Sequence, residues 1–305
     1  MLQKKLIEKK KRVFTVTEKG LFLHDLKNTI FLHGKFGEPG TYTDAINTPE
    51  GYVFLNKTSD RNNLLTLPTE PSDTMSFSAS RLEKILSKAK DFCAVSEGRF
   101  CLHGVAFYWS SETKDICICA SDTLTLYAYG DYKKFVSSEC AVMPLAHISA
   151  NINFLKKQGK GNVKVWYNKD NIYFLAENGD YAVSELLTGV YPNVQSVFPS
   201  FSSADKYALN TKELSAAIKT VSPANWVNMG VNTDGFSDFK ICGSFESFNL
   251  QQKTTAYPSS CFVPCGKLKI ILKHFKNSEN VYILSDKHPI FIEEGNEVAL
   301  LMPMC

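Results

Sequence analysis

Apolar and polar residues follow two periods along this chain, one typical of amphipathic helices and one typical of half-buried strands. Segments 80–86 and 211–218 place apolar residues three and four positions apart, which predicts helices with one buried face. Pro144 and Pro264 each follow a short strand-like run. A proline is tolerated at the first position of a helix, so two more helices are predicted there. Alternating segments joined by polar turns follow each helix and predict strands.

These signals recur in the same order, which indicates duplication. Leu82 corresponds to Leu214, and Pro144 corresponds to Pro264, at a period too long for a solenoid repeat. We therefore predict two duplicated domains, at 74–201 and 202–305, each with two strand–helix–strand units.

The first 73 residues differ from the rest, because they show no amphipathic helix beyond a short basic start. Glycines separate segments that alternate as strands do, at 13–17, 21–24, 29–33, 51–55 and 64–67. Residues 1–73 therefore predict a shortened, mostly β N-terminal domain, which a linker at 67–73 joins to the remainder.

Composition narrows the class of protein. Hydrophobic residues make up 44% and charged residues 21% of the 305, which is ordinary for a globular chain with more than one core. No apolar run reaches the roughly 20 residues needed to span a bilayer. The nine cysteines form no pattern of zinc ligands, and Cys117 and Cys119 should face one side of a strand. We expect a cytoplasmic protein without metal or cofactor.

Positive charge gathers on the predicted helices, although the net charge of the chain is only +3. Lysines suit phosphates and cannot read bases, so such faces predict weak, nonspecific and salt-sensitive binding to the phosphates of a nucleic acid. Ordinary solvated helix faces are the alternative. The candidate residues are Arg81, Lys84, Lys88, Lys156, Lys157, Lys160, Lys212, Lys219, Lys269, Lys273 and Lys276.

The chain ends in an apolar run, 298–305, which follows a turn at 294–297. We predict a last strand that runs to the chain end and leaves Met302 and Met304 exposed around Pro303. Methionine adapts to varied apolar partners, so this tip suits a docking pocket. A strand that only completes the core is the alternative.

Four segments carry a resemblance to a known family. They are 99–107, 120–126, 189–199 and 302–304, and they are similar to motifs of the form R-Y-x-L-N-G-x-x-F, A-T-D-G-H-R-L, G-x-F-P-D-Y-x-x-V-x-P and V-M-P-M. Their order and spacing resemble the beta sliding clamps of bacterial replicative DNA polymerase over residues 74–305. The resemblance implies a non-enzymatic DNA-clamp fold of duplicated domains, each with two helices on antiparallel sheets. Copies would assemble into a ring around DNA, with the basic helices lining the hole.

The same resemblance implies partners and a site for them. DNA polymerase and other replication or repair proteins would insert a short peptide into an apolar cleft between the second and third domains, and a clamp loader is a further expected partner. Thr123-Leu124-Thr125 replaces the Gly-His-Arg of the family, and Ser196 replaces a basic residue, so we expect a different preferred peptide. The implied pocket residues are Leu102, Ser121, Thr123, Leu124, Thr125, Leu126, Pro192, Ser196, Val197, Leu300, Leu301, Met302, Pro303 and Met304.

Several alternatives stay open at this point. The short first segment leaves a dimer with a reduced domain and a trimer of two full domains equally consistent with the sequence, and such compaction would suit a phage- or plasmid-encoded clamp. A monomeric adaptor or decoy for clamp-binding peptides is a second function. A cysteine hydrolase using Cys93 or Cys101 with His103 and Asp122 is a third, although neither cysteine opens a helix in a motif that would lower its pKa.

Overall fold

The fold is described by a computed structural model. It covers residues 13–25, 28–36, 38–48, 51–58, 67–71, 74–95, 100–110, 116–132, 135, 139–198, 206–207, 211–219, 226–231, 236–241, 247–253, 260–276, 278, 280–282 and 289–303. The described helices are α1 (Ala79–Ala89), α2 (Leu145–Gln158), α3 (Thr211–Ala217) and α4 (Cys265–His274). Short 3-10 turns lie at Lys90–Phe92, Phe100–Leu102 and Val194–Val197.

The strands are short and follow one another along most of the chain. They are β1 (Val13–Val16), β2 (Gly20–Asp25), β3 (Asn28–His33), β4 (Gly40–Thr48), β5 (Gly51–Thr58), β6 (Met75–Ser78), β7 (Gly104–Trp109), β8 (Ile116–Ser121), β9 (Thr125–Gly130), β10 (Ala141–Pro144), β11 (Asn162–Tyr167), β12 (Asn171–Ala176), β13 (Tyr181–Glu185), β14 (Lys206–Tyr207), β15 (Trp226–Val231), β16 (Phe236–Ile241), β17 (Ser247–Lys253), β18 (Ser260–Pro264), β19 (Asn280–Tyr282), β20 (Ile290–Glu294) and β21 (Glu297–Leu301).

The contacts divide the chain into two compact units. Unit 1 comprises Met1–Lys90, Gly104–Ser111 and Glu139–Gly189, and unit 2 comprises Asp91–His103, Glu112–Ser138 and Val190–Cys305. Both units combine antiparallel sheets with a pair of helices, which confirms the predicted α+β clamp fold. The domain boundaries after residues 73 and 201 remain a prediction.

Unit 1 is built on a nine-stranded antiparallel sheet in the order β5-β4-β1-β2-β3-β13-β12-β11-β6. Strand β3 pairs with β13 from Phe31 opposite Tyr181 to Asn28 opposite Ser184, so the N-terminal strands continue the sheet of the later ones. Strands β7 and β10 form a second antiparallel pair. Helices α1 and α2 pack against each other and bury their apolar faces, including Leu82, Ile85, Leu86, Ile148, Phe154 and Leu155.

Unit 2 repeats this plan. Strands β8, β9, β21, β20, β19 and β14 pair in that order, and β17, β16, β15 and β18 form a four-stranded sheet. Helices α3 and α4 contact each other, with Leu214, Leu268 and Ile271 fully buried. Each of the four described helices is followed by three strands, and this is the order that recurs in the sequence.

Some local expectations need correction. The strand predicted from Phe100 begins only at Gly104, because residues 100–102 form a 3-10 turn; His103 therefore lies in a bend and not in a strand. A Cβ at Gly104 would lie 2.4 Å from the Met143 carbonyl oxygen, so β7 and β10 approach too closely for a side chain there. Pro144 and Pro264 end β10 and β18 and act as N-caps, one position before the predicted helix start.

The N-terminal segment also differs in detail. The predicted strands at 13–17, 21–24, 29–33 and 51–55 are confirmed as β1, β2, β3 and β5. Strand β4 was not predicted from the sequence. It pairs with both β1 and β5 and supplies the outer part of the sheet. The strand predicted at 64–67 lies outside the described residues except for Leu67, which packs beside Trp166 and Tyr173.

A buried carboxylate ties the N-terminal strands to the rest of unit 1. Asp180, only 1% exposed, accepts hydrogen bonds from the His33 backbone N–H at 2.7 Å, from Lys157 Nζ at 2.6 Å and from Gln158 Nε2 at 3.1 Å. Burial alone would raise the pKa of Asp180, but these donors outweigh it and hold the pKa below its ordinary value. Strand β3, helix α2 and the β12–β13 turn therefore share one charged anchor.

We predict that Asp180→Asn destabilises the protein by roughly 2–3 kcal/mol, because Lys157 is left without its partner in a largely buried site. The folded-state pKa of Asp180 is depressed, so its contribution is complete above the ordinary value of 3.8 and is lost as pH falls through the lower folded value. Urea unfolding at neutral and acidic pH should show the difference between wild type and variant shrinking in acid. The exposed Asp170→Asn is the control, and an equal loss there would refute the anchor.

Candidate functional site

A small cavity of about 130 Å³ opens in unit 2. It lies where the β8–β9 turn, the end of β21 and the segment before residue 198 meet. None of the described residues that line it carries a charged side chain. The lining residues are Leu102, Ser121, Thr123, Thr125, Leu126, Tyr191, Pro192, Asn193, Val194, Val197, Leu300 and Met302.

The β8–β9 turn forms one wall, and Asp122 organises it. Asp122 Oδ1 accepts hydrogen bonds from the Leu124 N–H at 3.1 Å, the Thr125 N–H at 2.7 Å and the Thr125 hydroxyl at 2.8 Å. Ser121 Oγ donates to the Thr125 carbonyl at 2.8 Å. Within the turn Thr123 has φ +80°, the one positive φ of a non-glycine residue in the described part of the chain. A β-branched residue in this region is strained, so the turn needs these bonds to hold its shape.

The C-terminal strand forms the second wall. In the β9–β21 ladder Leu300 pairs with Leu126 and Leu301 with Thr125, and the Met302 N–H extends it by donating to the Leu124 carbonyl at 2.8 Å. Leu300 and Met302 line the cavity because side chains two positions apart share a face of a strand.

The predicted free tip of the chain is therefore wrong in part. Strand β21 ends at Leu301, Met302 is half-buried and Pro303 is buried. Pairing with β9 and the extra bond at Met302 hold this end against the sheet. Met304 lies outside the described residues.

The third wall is the segment 191–198. Asn193 caps its 3-10 turn by accepting from the Gln195 N–H at 3.1 Å, and Tyr191 and Val194 are buried beneath it. Phe198 stacks on Tyr132 with ring centroids 3.9 Å apart, which fixes the far end of the segment to unit 2.

The predicted basic residues differ in exposure, and some of them form ion pairs. Arg81, Lys84, Lys156, Lys160, Lys212, Lys219, Lys273 and Lys276 are exposed, and Lys88 and Lys269 are half-buried. Lys157 forms the ion pair with buried Asp180, so its charge is neutralised. Lys156 lies 3.4 Å from Glu83, a longer and more exposed pair. Eight of the eleven predicted basic residues are therefore exposed, on the helices or just after them, and Lys157 has a structural role.

One of these lysines belongs to a second ion-pair cluster. Lys273 Nζ and His274 Nε2, at the end of α4, lie 2.7 and 2.8 Å from Asp91 Oδ2. Burial would raise the pKa of Asp91, but the hydrogen bonds from Lys273 and His274 outweigh it and lower the pKa. Lys273 stays exposed to solvent, and the Asp91 carboxylate offsets part of its positive charge.

Comparisons with known proteins bear on this arrangement. A sliding clamp from Bartonella birtlesii, solved with griselimycin bound, has a TM-score of 0.76 at 16% identity and covers 96% of this chain and 91% of its own. A clamp from Pseudomonas aeruginosa, solved with a ligand, has a TM-score of 0.76 at 16% identity and covers 100% and 95%. This chain has the sliding-clamp fold.

The sequence relationship is more distant. The beta sliding clamp of Rickettsia felis is 22% identical over 172 residues, 52% of this chain. The chain matches 45% of the length of that relative, which is less than half. No protein-family model matches the chain.

Nine of the residues implied by the clamp resemblance do meet at the cavity, namely Leu102, Ser121, Thr123, Thr125, Leu126, Pro192, Val197, Leu300 and Met302. Leu124, Ser196, Leu301 and Pro303 are not among the lining residues; Leu301, for example, points to the opposite face of β21. Tyr191, Asn193 and Val194 line the cavity but were not predicted. All three lie inside the segment 189–199. The available signal in the sequence was Asn193, because asparagine is a common cap at the start of a helical turn.

The residues of the hydrolase alternative serve other purposes. Asp122 uses Oδ1 for the turn and Oδ2 for an ion pair with Lys267. Cys93 is buried. His103 lies near the Phe100 ring, with centroids 6.0 Å apart. These contacts give Asp122 a structural role in the turn and place Cys93 in the core.

Neither a cluster of metal-ligating side chains nor a long apolar helix is found in the described ranges. There, no three His, Cys, Asp or Glu side chains gather as a metal site would require. Cys117 and Cys119 do face one side, with their sulfurs 3.1 Å apart in the core. Among the same residues, none of the helices combines the length and apolarity that crossing a bilayer demands.

Proposed function

We propose that this chain is a DNA sliding clamp, a non-enzymatic processivity factor. Two or three copies would form a ring around duplex DNA, and the cavity of unit 2 would tether a polymerase or another replication protein through a short peptide. The observation that carries the proposal is the uncharged cavity, formed by residues of the clamp motifs in a chain with the clamp fold.

The size of the cavity favours a peptide anchor. A volume of about 130 Å³ lies well below the roughly 300–1,000 Å³ of sites that enclose a whole small ligand. Such a cavity suits one or two apolar side chains of a peptide whose remainder lies outside. Half-buried Met302 at its edge can adapt to different anchors. The griselimycin-bound clamp of Bartonella birtlesii supports the idea that clamps of this fold accept ligands.

The exposed lysines support contact with DNA. They lie on the helices or just after them, and lysine suits phosphate contacts, which carry no sequence information. Lys84, Lys160 and Lys276 are exposed in α1, just after α2 and just after α4. Lys157 is excluded from this role because it neutralises Asp180.

The sheets support assembly of several copies. Strand β3 pairs with a later strand, β13, and strand β9, the third strand after α1, pairs with β21. Strand β17 is likewise the third strand after its helix, α3, but among the described residues it pairs only with β16. An unpaired strand edge is a template for another chain, so a second copy is the natural partner for β17.

For the cavity, we predict that Met302→Glu abolishes binding of an apolar peptide, because it buries a charge in an uncharged site. The probe is a fluorescein-labelled, amidated decapeptide with adjacent leucine and phenylalanine in a glycine–serine background, followed by anisotropy. The matched control is Val190→Glu, since Val190 is 67% exposed and does not line the cavity. Equal binding by wild type and Met302→Glu would remove the cavity from the proposal.

For DNA, replacing Lys84, Lys160 and Lys276 together by glutamine should flatten the salt dependence of binding. The slope of log affinity against log salt should fall by up to roughly 0.9 for each phosphate that these lysines no longer neutralise. A labelled duplex titrated at several salt concentrations measures it. The control removes the same charge from strand β11 and from two loops, through Lys164, Lys35 and Lys169. A slope that changes equally in both variants would show that the helices do not face DNA.

For assembly, sedimentation at micromolar concentration should give a particle of two or three copies of the 34.1 kDa chain. A single-chain particle over the whole concentration range would contradict the ring. That outcome would favour the monomeric adaptor, which needs the cavity but no second copy.

A further inference from the structure

We infer that Lys267 is a positioning residue for the cavity of unit 2, acting through the β8–β9 turn. This inference rests on the proposed role of the cavity as a peptide site. Lys267 Nζ forms a short hydrogen-bonded ion pair with Asp122 Oδ2. Lys267 itself does not line the cavity. Its side chain is 33% exposed and that of Asp122 only 8%, so water and salt reach the pair from the Lys267 side.

The turn has a reason to need such an anchor. Thr123 lines the cavity and holds φ +80°, a conformation that a β-branched residue adopts only when its surroundings impose it. Asp122 Oδ1 imposes it by accepting from the N–H groups of Leu124 and Thr125, the two residues that follow Thr123. The orientation of that carboxylate depends on what holds its other oxygen, and that group is Lys267.

Helix α4 gives no independent reason for a lysine at this position. Lys267 lies in the first turn of α4, where the positive end of the helix dipole disfavours a cation. The first turn contains no acidic residue, and Pro264 provides no side-chain cap. Asp122 is thus the carboxylate that offsets the dipole and the lysine together. The same pair connects the wall of the cavity to the helix that carries Lys269 and Lys273.

The uncharged lining makes this role measurable. An apolar peptide would meet no charge on the described lining residues, so its contacts with them should be insensitive to moderate salt. Salt would then weaken peptide binding through charges behind this lining, and the pair of Lys267 with Asp122 is in contact with the turn itself. A salt effect on peptide affinity that disappears with Lys267 would therefore report positioning.

The test uses the full chain and the labelled decapeptide with four variants. Lys267→Met should weaken peptide affinity about three- to tenfold and remove its salt dependence. Lys267→Arg should keep both close to wild type. Thr123→Gly relieves the strained φ, so adding it to Lys267→Met should restore affinity without restoring the salt dependence. Met302→Glu marks complete loss of the site.

A second measurement does not depend on the peptide. Hydrogen exchange of the Leu124 and Thr125 amides, which bond to Asp122, should be faster in Lys267→Met than in wild type, and normal again in Lys267→Arg. If exchange and peptide affinity are both unchanged in Lys267→Met, the inference is wrong. If exchange accelerates but wild type binds no peptide, the turn is anchored as inferred and the proposed function of the cavity fails instead.

Discussion

The antiparallel pairing of β9 with β21 is the interaction on which the rest of unit 2 depends. It joins residues 125–130 to the last strand of the chain, and it brings Leu126 beside Leu300. Closing so long a loop costs conformational entropy that only burial on both faces of the sheet can offset. Both strands are almost fully buried, as that offset requires. The cavity forms where this ladder ends, so its position follows from the register of the pair.

Local sequence patterns predicted the helices and strands whose formation depends mainly on their own residues. Helices α1 and α4 were predictable because Leu82 and Leu268 belong to apolar stripes at helical spacing. Strand β4 was not, since Gly40–Thr48 is largely polar and forms through its pairing with β1 and β5. The start of β7 was misplaced for a similar reason. Residues before Gly104 alternate as a strand would, but the close approach to Met143 begins the ladder only there.

Much of the cavity was foreseen from the clamp motifs, and the errors have physical causes. Leu301 does not line the cavity, because alternation along β21 turns its side chain to the face opposite that of Leu300. Lys157 was grouped with the exposed lysines, yet Asp180 binds it from 23 positions further along the chain, and no local spacing indicates such a contact. The strain at Thr123 was equally hidden, because only the folded turn shows that a threonine occupies a left-handed conformation where the family motif has glycine.

The absence of charge from the described lining residues also affects the speed of recognition. These residues exert no field that draws a partner in from a distance, so encounters with them would proceed at the unassisted rate of roughly 10⁵–10⁶ M⁻¹ s⁻¹. Competing partners would then arrive with similar frequency and differ mainly in residence time. Exchange at this cavity would be governed by how long each occupant stays.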